Sequence, residues 1–132
     1  MATTGWIVRL LMEVRMLRRL DPERELVTFD GSRIVEVLGR VATDTAAMSV
    51  ARIVMPAGRG QPLRRNRFHE VLIVAEGSCE VALPTGTLVL RPNDVLELPA
   101  LTLYAECGGA NGCVAWAICT PAFSRDLVEF LA

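Results

Sequence analysis

From residue 27 onward the chain is a series of short apolar runs, each ended by turn-forming residues. Residues 48–55, 70–75 and 95–98 are rich in Val, Ile and Leu, and Pro or Gly follows each run. Short strands at such regular spacing indicate an all-β sandwich or barrel. A βαβ fold is not expected, because no helical segments alternate with these runs. The Gly-rich stretch 108–112 predicts a loop, and residues 124–131 predict a short closing helix or turn.

Length and composition place the chain among single-domain globular proteins. It has 132 residues, of which 52% are hydrophobic, enough to fill one core. The 14 basic residues are all Arg, and against 15 acidic residues they leave a formal net charge of −1. This near-neutral balance does not indicate binding to nucleic acid or to an anionic membrane. The absence of Lys excludes Schiff-base chemistry on a lysine amine.

The four cysteines do not have the spacing of a metal site. None forms a Cys-x-x-Cys pair, and His69 is the only histidine, so a zinc site of the Cys/His type is not expected. No secretory signal precedes them, and we therefore expect reduced thiols in a cytoplasmic protein. Cys107 and Cys113 flank the Gly-rich stretch and could pair there.

Residues 1–26 differ from the rest, and we treat them as a segment apart from the barrel domain at 27–132. Apolar residues recur at helical spacing in residues 5–20, with four Arg among them. The stretch is too short and too charged to span a bilayer. We expect the segment to pack against the barrel or to form a dimer contact. The other possibility is that it is an upstream extension, with Met16 as the alternative translation start. A basic amphipathic helix on a membrane surface is the alternative.

Two ordered motifs resemble those of the cupin superfamily. The first cupin motif runs from a Gly through His-x-His to a Glu and, after six intervening residues, a second Gly. Gly58, Glu70 and Gly77 stand at the corresponding places here. Residues 93–99 are similar to the second motif. Asn93 replaces the Gly of that motif, whereas Pro99 matches its Pro. The resemblance implies a cupin barrel (a double-stranded β-helix, or jelly roll) with an N-terminal extension.

The chain departs from that family at the metal ligands. Depending on the spacing chosen, the two His positions of the first motif fall on Leu63 and Arg65, or on Arg64 and Asn66. Arg cannot coordinate a metal, because its guanidinium stays protonated. Tyr104 stands at the His of the second motif, so only Glu70 remains of the four ligands. We therefore expect no metal and no other cofactor.

The resemblance also implies which side chains face the barrel interior: Arg65 or Arg64, Glu70, Leu72, Tyr104 and Glu106. In an apolar cavity, Glu70 becomes a usable general acid or base. Tyr104 can donate to a developing oxyanion, and an inward Arg can bind a substrate carboxylate. An internal Arg–Glu ion pair in place of the metal is the alternative, with Tyr104 as a plug of the barrel.

Two further residues are candidates for the site. His69 is the only candidate for a His base, but it is one residue from Glu70, and neighbouring side chains on a strand point to opposite faces. His69 should therefore point away from the interior or sit at the rim. Trp116 is a candidate ligand platform, with a place in the core as the alternative.

Three functions remain compatible with these residues. The first is a metal-free enzyme for cyclisation, isomerisation or dehydration of a small organic substrate in secondary metabolism. The second is a cupin that binds or senses a small carboxylate or sugar without chemistry. The third is a metal-dependent dioxygenase, which needs Glu70, His69 and a Cys to converge. The expected partners are a small molecule and, as the resemblance implies, a second copy in a homodimer, with neither nucleic acid nor membrane.

Overall fold

Two long antiparallel strands form the centre of the protein, whose computed structural model describes residues 16–131. β5 (His69–Leu83) and β8 (Tyr104–Thr120) pair from His69↔Thr120 to Ala82↔Ala105. Both strands pass through a glycine with positive φ, +72° at Gly77 and +75° at Gly112. A Cβ on Gly77 would lie 2.1 Å from the carbonyl oxygen of Gly112. Glycine is therefore required where the two bent strands approach one another.

The other strands extend this pair on both sides into one curled antiparallel sheet. The remaining strands of the described chain are β1 (Leu26–Val27), β2 (Arg33–Leu38), β3 (Ser49–Met55), β4 (Gly60–Asn66), β6 (Gly86–Leu90), β7 (Val95–Leu98) and β9 (Val128–Phe130). The path of the sheet runs β1-β2-β3-β8-β4-β9, and β5 pairs with β6, β7 and β8. Two 3-10 turns, Pro22–Arg24 and Arg125–Leu127, complete the described elements.

The core lies between the curled halves of this sheet. Alternate residues of the central strands point inward, as Glu70, Leu72 and Val74 do on β5. Burial of these apolar side chains supplies the main favourable free energy of folding. The buried apolar cluster consists of Ile53, Met55, Leu72, Val74, Cys79, Val81, Leu90, Leu98, Tyr104, Cys113, Ala115 and Ala117.

The all-β prediction is confirmed, but the prediction of a loop at residues 108–112 is wrong. These residues belong to β8. A Cβ at Gly108 would lie 2.4 Å from the carbonyl oxygen of Pro56, so this glycine allows close approach of backbone rather than a turn. The predicted closing helix or turn is the 3-10 turn Arg125–Leu127, and the edge strand β9 follows it.

The N-terminal segment is described only from residue 16, so the proposed contacts of residues 1–15 lie outside the described part of the chain. In residues 16–131 no helix is long and apolar enough to cross a membrane. Within the same residues Cys79, Cys107, Cys113 and Cys119 are free thiols, and Cys107 and Cys113 do not pair.

Candidate functional site

Strand alternation on β4 decides which arginine enters the barrel. Arg64 and Asn66 point inward and are 7% and 4% exposed, whereas Arg65 lies on the outer face. The exposed Arg65 guanidinium donates to the Glu129 carboxylate on β9, with an Nε–Oε2 distance of 2.8 Å. The structure thus settles the spacing of the first motif in favour of Arg64 and Asn66, and it places Arg65 away from the interior.

β5 and β8 contribute the other polar side chains of the interior. Glu70 lies at the start of β5, and Tyr104 and Glu106 lie at the start of β8, on the faces that turn inward. All three are almost fully buried. We call Arg64, Asn66, Glu70, Tyr104 and Glu106 the interior cluster.

A directional chain of hydrogen bonds runs through this cluster. Asn66 Nδ2 donates to the Tyr104 hydroxyl at 2.8 Å, and that hydroxyl donates to Glu70 Oε2 at 2.6 Å. The Cys119 thiol, near the end of β8, lies 3.9 Å from Glu70 Oε1 and makes a weaker contact. Glu70 is therefore held as an acceptor on both carboxyl oxygens.

An ion pair lies beside this chain. Arg64 Nη2 is 2.7 Å from Glu106 Oε1, and both side chains are buried. The Arg64 guanidinium also lies 4.4 Å from the centre of the Tyr104 ring, in a cation–π contact. Burial by itself lowers the pKa of Arg64, but Glu106, Tyr104 and Glu70 raise it on balance, so the guanidinium remains charged.

Burial sets the protonation of Glu70 and Tyr104. Desolvation and the nearby Glu106 raise the pKa of Glu70 to about 7, against the opposing effects of the Tyr104 hydrogen bond and Arg64. At neutral pH this carboxyl therefore exists in both protonation states. Desolvation and the charges of Glu70 and Glu106 raise the pKa of Tyr104, which keeps its hydroxyl protonated and able to donate.

Two oxygens of the interior cluster have no hydrogen-bond partner within the described residues. They are Asn66 Oδ1 and Glu106 Oε2, and both are buried. Buried polar atoms are nearly always paired, because an unpaired acceptor costs about 1–3 kcal/mol. The cluster therefore has capacity for two further donated hydrogen bonds.

Solved structures with the same arrangement of strands identify the fold. A cupin-like protein from Thermotoga maritima matches with a TM-score of 0.67 and 17% sequence identity, over 77% of each chain. This chain has the cupin fold. The Streptomyces nucleoside dehydratase Pac13 matches with a TM-score of 0.69 and 17% identity, over 86% of this chain and 89% of Pac13. KdgF from Halomonas sp. matches with a TM-score of 0.65 and 17% identity, over 77% of this chain and 89% of KdgF.

Sequence comparison finds one curated relative, and the matched region is only about a third of that relative's length. The curated protein Endoribonuclease YbeY of Myxococcus xanthus is 32% identical over 102 residues, which are 76% of this chain and 34% of that protein. This chain thus spans about a third of the curated relative. No family model matches the chain.

The cupin fold raises the question of a metal, and the donor set does not fit one. The four positions aligned with cupin metal ligands, Arg64, Asn66, Glu70 and Tyr104, do lie together in the interior cluster. Their chemistry is a guanidinium, an amide, one carboxyl group and a phenol whose pKa is raised. One carboxylate is the only strong ligand among them. In residues 16–131 no group of three His, Cys, Asp or Glu residues converges in a way that could hold a metal ion.

Three residues predicted for the site occupy different surroundings. His69 Nε2 lies 2.9 Å from Glu97 Oε2 on the outer face, so the structure does not bring it to Glu70. The convergence of His69 with Glu70 and a Cys, which the dioxygenase hypothesis needs, is therefore not seen, although Cys119 does reach Glu70. Trp116 is half-buried on the outer face between inward-facing Ala115 and Ala117. Leu72 points inward and is fully buried, as part of the apolar core beside the cluster.

Sequence reasoning missed Asn66 and Cys119 as members of this site. Asn66 was detectable, because the spacing counted from Gly58 places it at a ligand position. Nothing in the sequence indicates that Cys119 reaches Glu70, since that contact depends on the pairing Glu70↔Cys119 between β5 and β8.

A pocket lies beside the first residues of β8. It has a volume of about 250 Å³, and Gln61, Glu80, Thr87 and Cys107 line it together with Glu106 of the interior cluster. The Cys107 thiol is 3.8 Å from Glu80 Oε2, and burial and that carboxylate raise its pKa. Cys107 is therefore a weak nucleophile, since the thiolate is the reactive form.

Proposed function

We propose that this cupin is a small-molecule enzyme that catalyses proton transfer without a bound metal, with Glu70 as the acid–base group. The observation that supports this most directly is the buried 2.6 Å hydrogen bond from Tyr104 to Glu70. Glu70 has a pKa of about 7, where a carboxyl group can both accept and return a proton at neutral pH. The reaction class is isomerisation, dehydration or cyclisation of a small organic substrate.

Each member of the interior cluster has a part in this proposal. Glu70 takes a proton from carbon in its ionised form and gives a proton to a leaving or developing oxygen in its neutral form. Tyr104 stays protonated and orients Glu70, and it is placed to donate to an oxygen that gains negative charge. Arg64 holds the Tyr104 ring in place through the cation–π contact, and Glu106 holds Arg64 through the ion pair.

Solvent deuterium exchange tests this reaction class across many candidate substrates at once. Pools of sugars, nucleosides and hydroxy acids are incubated in D₂O with the chelator-treated protein and followed by ¹H NMR. We expect loss of a C–H signal or a new product with the native protein, and neither with Glu70→Gln. Glu129→Gln, which breaks an exposed Arg–Glu pair, is the matched control and should behave as the native protein does. Turnover that requires added metal would contradict the proposal.

A binding function without chemistry is the second candidate. The observation in its favour is the ion pair between Arg64 and Glu106 in the interior. Such a pair can take the structural place of a metal without taking part in chemistry. This candidate predicts ligand affinity with no exchange and no product. It also predicts that Glu70→Gln folds normally and retains the ligand.

We further propose that the protein acts in the cytoplasm as a homodimer. The free thiols of the four cysteines support a reducing compartment, and resemblance to cupins, which commonly pair, supports the dimer. Sedimentation of the full chain should give the mass of two copies. Deletion of residues 1–15 should shift that mass towards the monomer, and an unchanged dimer would count against a contact through this segment.

A further inference from the structure

We propose that the interior cluster recognises a neutral molecule rich in hydrogen-bond donors, of the class of free sugars and nucleosides, and rejects carboxylates and phosphates. This inference rests on the proposed function, because it assigns the substrate class of the same site. It departs from the expectation that an inward arginine binds a substrate carboxylate. The observations that carry it are two unpaired acceptor oxygens and an arginine that is already paired.

The unpaired atoms of the cluster are acceptors only. Asn66 Oδ1 is a carbonyl oxygen and Glu106 Oε2 is a carboxylate oxygen, and neither accepts a hydrogen bond within the described residues. The amide nitrogen of Asn66 is committed to Tyr104, and Glu106 Oε1 is committed to Arg64. A ligand that forms hydrogen bonds with these two oxygens must bring O–H or N–H donors, as a polyol does with its hydroxyl groups.

The arginine of the cluster is already paired with a carboxylate. Arg64 Nη2 donates to Glu106 at 2.7 Å, and Nη1 donates to the carbonyl oxygen of Pro62 at 3.4 Å. One face of the guanidinium is turned to the Tyr104 ring. A carboxylate or phosphate that bound Arg64 would have to compete with these partners, because both terminal nitrogens already donate to oxygens of the protein.

The charge of the cluster points the same way. Arg64 contributes one positive charge and Glu106 one negative charge, which cancel at 2.7 Å. Glu70 adds either no charge or one further negative charge, so the cluster is never positive. A ligand anion brought into this low-dielectric interior would be repelled whenever Glu70 is ionised, whereas a neutral donor would not.

Matched ligand pairs test the inference. Uridine is compared with uridine 5′-monophosphate, and D-glucose with D-glucuronate, by titration calorimetry and ligand-observed NMR at pH 7 and constant ionic strength. We expect the neutral member to bind at least about tenfold more tightly than its anionic counterpart. Glu106→Gln removes the negative charge and frees Arg64, so it should weaken the neutral member and strengthen the anionic one. Glu129→Gln is the control and should leave the preference unchanged, because it alters the exposed pair with Arg65.

The outcomes separate this inference from the proposed function. Tighter binding of the anionic member to the native protein overturns the inference even if Glu106→Gln fails to fold. An unchanged preference in a folded Glu106→Gln variant overturns it as well. If no member of either pair binds, the substrate class is wrong. The proposed function fails if the deuterium-exchange experiment detects no proton transfer for any substrate, or if turnover requires added metal.

Discussion

Tyr104 and Glu70 are joined by a 2.6 Å hydrogen bond across the interior although they do not pair with one another in the sheet. Glu70 pairs with Cys119 and Leu98, whereas Tyr104 pairs with Arg64 on β4. The bond therefore connects two parts of the curled sheet from within. It ties the protonation of Glu70 to the stability of the fold.

Stability should fall as pH rises towards 7, because folding favours the neutral form of Glu70. The pKa of Glu70 is about 7 in the folded chain against an ordinary value of 4.5, a difference equivalent to about 3 kcal/mol. This contribution is fully present below pH 4.5 and is lost as pH rises through 7. Glu70→Gln mimics the neutral form, so thermal melts from about pH 5 to about pH 8 should show a weaker decline and a higher Tm at the alkaline end. An unaltered pH profile in the variant would contradict the raised pKa.

Removal of the Tyr104 hydroxyl should destabilise the protein and raise the pKa of Glu70 further. Tyr104→Phe leaves Glu70 Oε2 and Asn66 Nδ2 without their partner, at a cost of about 1–3 kcal/mol. It also removes a hydrogen bond that lowers the pKa of Glu70. Denaturant unfolding measures the first effect, and NMR titration of the Glu70 carboxyl measures the second. In a cycle with Glu70→Gln the two changes should be non-additive, and strict additivity would show that the bond is not made.

Substitution of Arg64 should lower the free energy of unfolding much more than substitution of Arg65. Arg64→Met leaves the Glu106 charge buried and uncompensated, which costs about 3–5 kcal/mol. Arg65→Met breaks only an exposed pair with Glu129 and should change stability little. Urea unfolding of both variants measures the difference. The double change Arg64→Met with Glu106→Leu should recover most of the loss, since it removes both charges of the buried pair.

Gly77 and Gly58 form a second matched pair, because both have positive φ but only one is crowded. Their φ angles are +72° and +67°. At Gly58 a Cβ meets nothing within 4 Å, whereas at Gly77 it would meet the carbonyl oxygen of Gly112. Gly58→Ala should cost about 1–2 kcal/mol from its backbone conformation alone. Gly77→Ala should cost clearly more, and equal losses in unfolding experiments would show that β5 and β8 do not approach so closely.

Metal content provides a test of the donor set. Elemental analysis of the tag-free protein for Fe, Mn, Ni, Cu and Zn should find less than about a tenth of an equivalent, before and after incubation with each metal. The triple change Arg64→His, Asn66→His and Tyr104→His places three imidazoles around Glu70 and should create a site for about one equivalent of a divalent metal. A full equivalent in the native protein that survives dialysis would make the metal-dependent hypothesis the leading one.

Much of the fold was predictable because strand alternation and motif order are written locally in the sequence. The positions of Glu70 and Tyr104 followed from the same motifs. The identity of the inward arginine stayed open as long as two spacings of the first motif were allowed, since a shift of one residue on a strand reverses the face. The spacing counted from Gly58 selects Arg64. The Gly-rich stretch at 108–112 was misjudged because turns and close backbone contacts require the same residue type. The partnership of Arg64 with Glu106 depends on the pairing of β4 with β8, which the sequence does not specify.

β8 carries side chains of the site at both of its ends, with Tyr104 and Glu106 at the start and Cys119 near the finish. The distance between these two groups is fixed by the curvature of one continuous strand. Substitutions near the bend at Gly112 would therefore shift Tyr104 and Glu106 relative to Cys119, even though none of them touches Glu70.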